Sequence, residues 1–179
     1  MRSDPLDPRR LDLPRFAESA ATAEGRWPFE LLARLGADAP PAGSADVHWS
    51  VRGERRAAVG DAPQIWLHLR ASTVVRLTCQ RCLQPLDQAL EAERSLRFVA
   101  DEAQAEREDE EAEEDVLAMP PRGCLDLLPL AEDELILALP LVPRHERCPQ
   151  PLPMPAETLD AVRAEHPFAT LAALKQRKT

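Results

Sequence analysis

Between Val47 and Phe98 apolar and polar residues alternate with a period of two, the pattern of strands that bury one face. Val47, Trp49 and Val51 alternate with His48, Ser50 and Arg52, and Gly60-Asp61 marks the turn that follows. Ile65, Leu67, Leu69, Ala71, Thr73, Val75, Leu77 and Cys79 then share one parity, which predicts an unusually long strand. After a break at Cys79 to Pro85, the residues Leu86, Leu90, Ala92, Leu96 and Phe98 fall on even positions, with Asp87, Glu91, Glu93, Ser95 and Arg97 between them. The pattern predicts a three-stranded antiparallel meander over residues 45–100, with Cys79 and Cys82 at its second hairpin.

Helical spacing flanks this region. Asp12 to Glu24 predicts a helix capped by Asp12, with Pro14 in its first turn and a stop at Gly25. Trp27 to Leu35 predicts one or two further amphipathic turns, and 37–44 a linker carrying Pro40-Pro41 and Gly43. Asp126 to Pro140 predicts a helix capped by Asp126 and apolar nearly all round at its C-terminal half, so it should be buried over the meander. Glu132, Asp133 and Glu134 on it read either as a solvated stretch or as a charged docking edge. Beyond Leu141 the chain is rich in proline, and it ends in a short amphipathic helix presenting Phe168, Leu171 and Leu174, which must dock on its own body or on another protein. The expected class is α+β, an antiparallel meander packed by a buried helix, with N- and C-terminal helices and a long acidic loop.

A chain of 179 residues, 44% of them apolar, can bury one core, and a single domain over 1–179 is expected. Its parts would be an N-terminal helical segment (1–44), the meander (45–100), an acidic loop (101–115), a buried helix with a His/Cys segment (116–148), and a Pro-rich linker with the C-terminal helix (149–179). The net charge of -9 has one local source: residues 101–115 hold ten acidic side chains against Arg107 alone. Like charges crowded without apolar periodicity predict a solvated, mobile loop, either a solubilising face or a lure for a basic protein. A balanced body with a polyanionic insert is poorly suited to gripping phosphates by counterion release, and the lack of tyrosine removes stacking platforms for bases. No run of the sequence is long and apolar enough to span a bilayer and the first ten residues lack an apolar signal core, so no membrane association and a cytoplasmic location are expected.

Cys79-Gln80-Arg81-Cys82 is a Cys-x-x-Cys pair, and His145 and Cys148 repeat the same gap downstream. Two residues between ligands let both side chains reach one ion from a tight turn, so the four could hold zinc and tie the middle of the chain to its C-terminal part. Against this stands a plainer reading, in which Cys79 and Cys82 are half-buried thiols at a strand end and His145 is a surface residue in a Pro-rich loop. A dithiol redox enzyme is disfavoured, because a reactive pair wants a helix N-terminus and this one lies in β pattern. No phosphate-binding glycine loop or serine-nucleophile motif is present in the sequence, and no catalytic residue or small-molecule substrate is expected.

Several of these motifs together resemble the YceD family, the large ribosomal RNA subunit accumulation proteins. The resemblance rests on Cys79-Gln80-Arg81-Cys82 after a long strand and on Asp126-Leu127-Leu128 with Glu132-Asp133-Glu134 leading into Ile136-Leu137-Ala138-Leu139-Pro140 and Val142-Pro143-x-His145. It closes on Pro167-Phe168-Ala169-x-Leu171-x-x-Leu174-Lys175, so that it covers about the latter three fifths of the chain. It implies a part in the synthesis, processing or stability of 23S ribosomal RNA, without a known catalytic activity. Some relatives look like they carry a second Cys-x-x-Cys where this chain has His145 and Cys148. Cys124 matches no family cysteine and is expected to be a buried or incidental thiol.

Two functions follow from these readings. One is a non-catalytic ribosome-assembly factor that engages a basic large-subunit protein or another factor, with 23S RNA reached indirectly, through the acidic segment, Glu132, Asp133 and Glu134, and Phe168, Leu171 and Leu174. The other is direct RNA binding by a zinc-knuckle-like hairpin, with Arg70, Arg76 and Arg81 reaching phosphates.

Overall fold

The computed structural model describes residues 6–57 and 63–149. Phe168, Leu171 and Leu174, and the turn expected at Gly60-Asp61, lie outside the described residues. The architecture is α+β. A five-stranded sheet runs in the order β2 (Thr22–Pro28), β3 (Asp46–Arg56), β4 (Gln64–Thr78), β5 (Pro85–Val99) and β6 (Asp115–Ala118). All neighbours are antiparallel except β5 and β6, which run parallel. A two-residue strand β1 (Leu11–Asp12) pairs with β7 (Cys124–Leu125) beside it.

The expected meander is β3, β4 and β5. Its parity holds: Val47, Trp49, Val51, Leu67, Leu69, Ala71, Val75, Leu90, Leu96 and Phe98 line one buried face. Helix α1 (Leu13–Glu18) packs on that face, capped by Asp12 through the Arg15 N–H. Gly53 of β3 is where α1 crosses: a Cβ there would lie 2.7 Å from both Cδ1 and the carbonyl oxygen of Phe16, so only glycine lets helix and strand approach this closely. Helix α2 (Ala33–Asp38) and helix α4 (Leu127–Leu137) complete the layer. Leu127 and Leu135 of α4 are fully buried, contributing about 1.5–3 kcal/mol each by removal from water. Asp126 caps α4 through the Leu128 N–H, and Arg9 bonds the same carboxylate.

Several expectations are corrected here. The helix expected over Asp12–Glu24 stops at Glu18, and Thr22–Pro28 is instead the edge strand β2. Ala20 takes a left-handed conformation (φ 48°), which ends the helix, and Trp27 stacks on Trp49 with centroids 4.9 Å apart. Strand pairing therefore overrides the helical spacing read in the sequence. The C-terminal half of α4 is not buried all round, since Leu137 is 69% exposed. Cys124 is exposed rather than buried.

The acidic loop is also corrected. Helix α3 (Glu102–Asp109) occupies it, followed by β6. The Asp101 carboxylate caps α3 through the Gln104 N–H, and Ala105, Val99 and Val116 form a small second apolar cluster on the far face of the sheet. Arg97 on β5 is nine-tenths buried beneath the helix and pairs with Glu108 and, at 2.8 Å, with Glu114. Burial works against the charge of this guanidinium, but the two carboxylates outweigh it and raise its pKa, while Arg97 and Gln104 hold Glu108 below the usual carboxylate range. A buried cation thus fixes an acidic stretch whose composition alone reads as a loop.

Candidate metal centre

The long strands β4 and β5 meet at a turn built by the Cys-x-x-Cys segment. Cys79 N–H donates to the Gln84 carbonyl, Leu83 N–H returns to the Cys79 carbonyl, and Leu83 takes a left-handed φ of 59°. This knuckle presents Cys79 and Cys82 on one side, both buried. The segment after α4 is drawn against it by Gln80 N–H to Pro143 carbonyl (2.9 Å) and by Arg81, whose guanidinium donates to the carbonyls of His145 and Glu146.

Cys79, Cys82, His145 and Cys148 come together, their ligand atoms all within 4.8 Å of one another. The Sγ atoms of Cys79 and Cys148 are 3.8 Å apart, and Cys82 Sγ is 3.4 Å from His145 Nδ1. A tetrahedral ion with metal–sulfur bonds of about 2.3 Å and metal–nitrogen bonds of about 2.0–2.1 Å has sulfur–sulfur edges of about 3.8 Å and sulfur–nitrogen edges of about 3.5 Å. The donor set and spacing therefore fit a metal ion. His145 Nε2 lies 3.1 Å from the Pro85 carbonyl, so the ring can donate there and leave the Nδ1 lone pair for coordination.

Electrostatics favour the thiolate at Cys79 and oppose it at Cys82. Burial pushes the Cys79 thiol up, but N–H groups of His145, Arg81 and Cys82, with the His145 side chain, outweigh it and bring its pKa to about 5. Burial is the main cause that raises the Cys82 thiol. Arg81 Nε approaches Cys148 Sγ at 3.0 Å, and that contact raises the guanidinium pKa. A divalent ion held by three thiolates would carry one net negative charge, and Arg81 is placed to offset it.

The remaining candidates are dispersed. Glu132 and Glu134 are buried, at 6% and 8% exposure, and turn inward: Glu132 bonds Arg34 and Leu35 of α2, and Glu134 bonds Arg94 of β5. Their carboxylates are taken up inside the chain rather than held out as a docking edge. Asp133 is half exposed and pairs with Arg34. Arg70 pairs with Glu93 at 2.7 Å and Arg76 with both carboxylate oxygens of Asp87, all on the polar face of the meander.

One cluster on that face had no sequence signal. His68 Nδ1 is 2.8 Å from Ser95 Oγ, and His68 Nε2 is 2.9 Å from Glu54 Oε2, residues brought together only by strand register. Ser95 lies mid-strand, away from any helix N-terminus or tight turn that would aim free N–H groups at an oxyanion, and Glu54 is shared with Arg52 and Arg56. The arrangement is a cross-strand polar network. Among the described residues, no helix is long and apolar enough to cross a membrane.

No solved structure matches the chain. A curated relative, the large ribosomal RNA subunit accumulation protein YceD of Haemophilus influenzae, is 41% identical over 108 residues, covering 58% of this chain. The aligned part spans 61% of that relative, less than two thirds of its length. The family described as large ribosomal RNA subunit accumulation protein YceD matches residues 67–175, from near the start of β4 through the knuckle, α4 and His145. That match takes in more than half of the chain, including all four residues of the metal cluster, and the chain belongs to the YceD family.

Proposed function

We propose that this protein is a non-catalytic cytoplasmic factor supporting accumulation of the 23S RNA of the large ribosomal subunit, acting through protein contacts on a body braced by a structural zinc ion. The observation that carries the structural-zinc reading is the closed donor set: Cys79, Cys82, His145 and Cys148 would supply four protein ligands, leaving an ion there no open position for water or substrate. Zinc is the ion of choice for three thiolates and an imidazole. Family membership supports the link to ribosomal RNA, and the relative's name speaks of accumulation of the large-subunit RNA.

The partner surface in this reading is α3 and the turn after it, where Glu102, Glu106, Glu110, Glu111 and Glu113 are exposed and face solvent together. It suits a basic large-subunit protein or assembly factor, with Phe168, Leu171 and Leu174 as further contacts. Arg97 fixes α3 from below, so the charges are presented on an ordered element. Arg70, Arg76 and Arg81 each face a partner within the chain, which leaves the direct RNA reading in second place.

Capture of the full chain from nuclease-treated lysate tests this. Basic proteins should be retained and should be lost when Glu102, Glu106, Glu110, Glu111 and Glu113 are changed to Gln. Associations that all vanish with nuclease, with Arg76→Glu and Arg81→Glu abolishing them, would establish the RNA-binding alternative instead.

A further inference from the structure

Strand β2 is the outer edge of the five-stranded sheet. The Ala21 carbonyl accepts from the Gly53 N–H at 2.9 Å, and the register continues through Ala23↔Val51, Gly25↔Trp49 and Trp27↔Val47. In an antiparallel ladder this commits the odd-numbered residues of β2 to exchange backbone bonds with β3. The N–H and C=O groups of Thr22, Glu24 and Arg26, and the carbonyl of Pro28, therefore point outward, and among the described residues no strand lies beyond them. Glu24 and Arg26 are both exposed on the polar face, and neither forms an ion pair among the described residues.

We propose that β2 is a self-pairing edge: it adds antiparallel to β2 of a second copy about a two-fold axis through Gly25. That register sets Glu24 opposite the partner's Arg26 and Arg26 opposite the partner's Glu24. These two pairs exchange both backbone bonds, and each Thr22 N–H meets a Pro28 carbonyl. Gly25 falls at the close-approach pair on the axis, where strands come within about 4.5 Å, and the side chain it lacks is the space taken by the Trp49 ring on the buried face. The charges also select this register over its neighbours. Centring one residue earlier would put Glu24 against Glu24, and one residue later Arg26 against Arg26, both destabilising. The occupant is thus written in the strand: an alternating acid–glycine–base edge is complementary to itself, and the interface is isologous.

Sedimentation velocity on the full chain, from about 1 to 200 μM because an edge interface is small, tests the proposal. Wild type should be a concentration-dependent dimer. Glu24→Arg and Arg26→Glu each create two like-charge pairs and should weaken self-association by about tenfold or more. Mixed together, the two variants should form a heterodimer, since every cross-strand pair is again opposite in sign. Glu24→Pro, which removes only an outward N–H, should be monomeric with an unchanged circular dichroism spectrum. A wild-type chain that stays monomeric throughout overturns the proposal and leaves the charges and Pro28 as guards of an unpaired edge. A dimer that survives both charge reversals, or a mixture with no preference for the heterodimer, overturns it as well.

Discussion

Glu132 of α4 caps the N-terminus of α2 from almost a hundred residues away: its Oε1 accepts the N–H groups of Arg34 (2.7 Å) and Leu35 (3.1 Å), while its Oε2 accepts Arg34 Nε at 3.0 Å. Helix α2 has Leu32 at its cap position and no side-chain cap of its own, so the donors of its first turn depend on this carboxylate. Glu132→Ala leaves the N–H groups of Arg34 and buried Leu35 without their acceptor, while the half-exposed Arg34 side chain keeps Asp133 and the Pro129 carbonyl. The expected loss is about 2–4 kcal/mol, against about 1–2 kcal/mol for Glu132→Gln, which keeps an acceptor. Urea unfolding of the two variants checks the order. Equal losses would mean that the carboxylate charge, and not the cap, sets the cost.

The knuckle makes a prediction about ligand removal. Protein purified without a histidine tag should carry about one zinc per chain, and cobalt substitution should show thiolate-to-cobalt charge transfer. Replacing Cys79, Cys82 or Cys148 with Ser should lose the ion. The unfolding midpoint should fall by about 5–10 °C, because the tie between the β4–β5 turn and the chain after α4 is cut. A chelator should produce the same fall in wild type and none in the variants. Metal-free protein with an undiminished midpoint would remove the structural role.

Much of this site was legible because its information is local. Two Cys-x-x gaps are visible in any sequence, and the parity of β4 carries straight to the turn that presents Cys79 and Cys82. What composition obscured was set by distant partners. The run at 101–115 reads as a loop until Arg97, placed beneath it by strand register, supplies the buried countercharge; the Asp101-x-x-Gln104 start was the one local signal of a helix. Glu132 and Glu134 look solvent-seeking on their own helix and turn inward only because Arg34 and Arg94 lie on elements far off in sequence. The helical spacing read over Asp12–Glu24 runs into Thr22–Pro28, but an otherwise unpaired β3 edge beside it captures that segment as a strand.

Arg97 supports a prediction on local order. Arg97→Met keeps the bulk of the buried stem but leaves Glu108 and Glu114 without their cation, so α3 and β6 should loosen from the sheet while β3–β5 remain intact. Hydrogen exchange should show protection lost over 102–118 by at least about tenfold and unchanged in β4. Uniform loss across the sheet would mean that α3 is part of the global folding unit.

Glu54 gives a pH dependence with a definite sign. Hydrogen bonds from Arg56 and then from His68 lower its pKa from an ordinary 4.5 to about 2. A depressed carboxylate favours the folded state by an amount fully present above the unfolded value and lost as pH falls through the folded one, so this contribution disappears between about pH 4.5 and 2. Glu54→Gln lacks it at every pH. The variant should be less stable than wild type at pH 7, and the gap should close through that acid window while changing little between pH 5 and 7. Unfolding midpoints in urea at pH 7, 5, 3.5 and 2.5 measure it. A gap that stays constant down to the most acid point would show that the carboxylate acts as a neutral hydrogen-bond acceptor in the His68–Ser95 network, and that its charge contributes nothing to the fold.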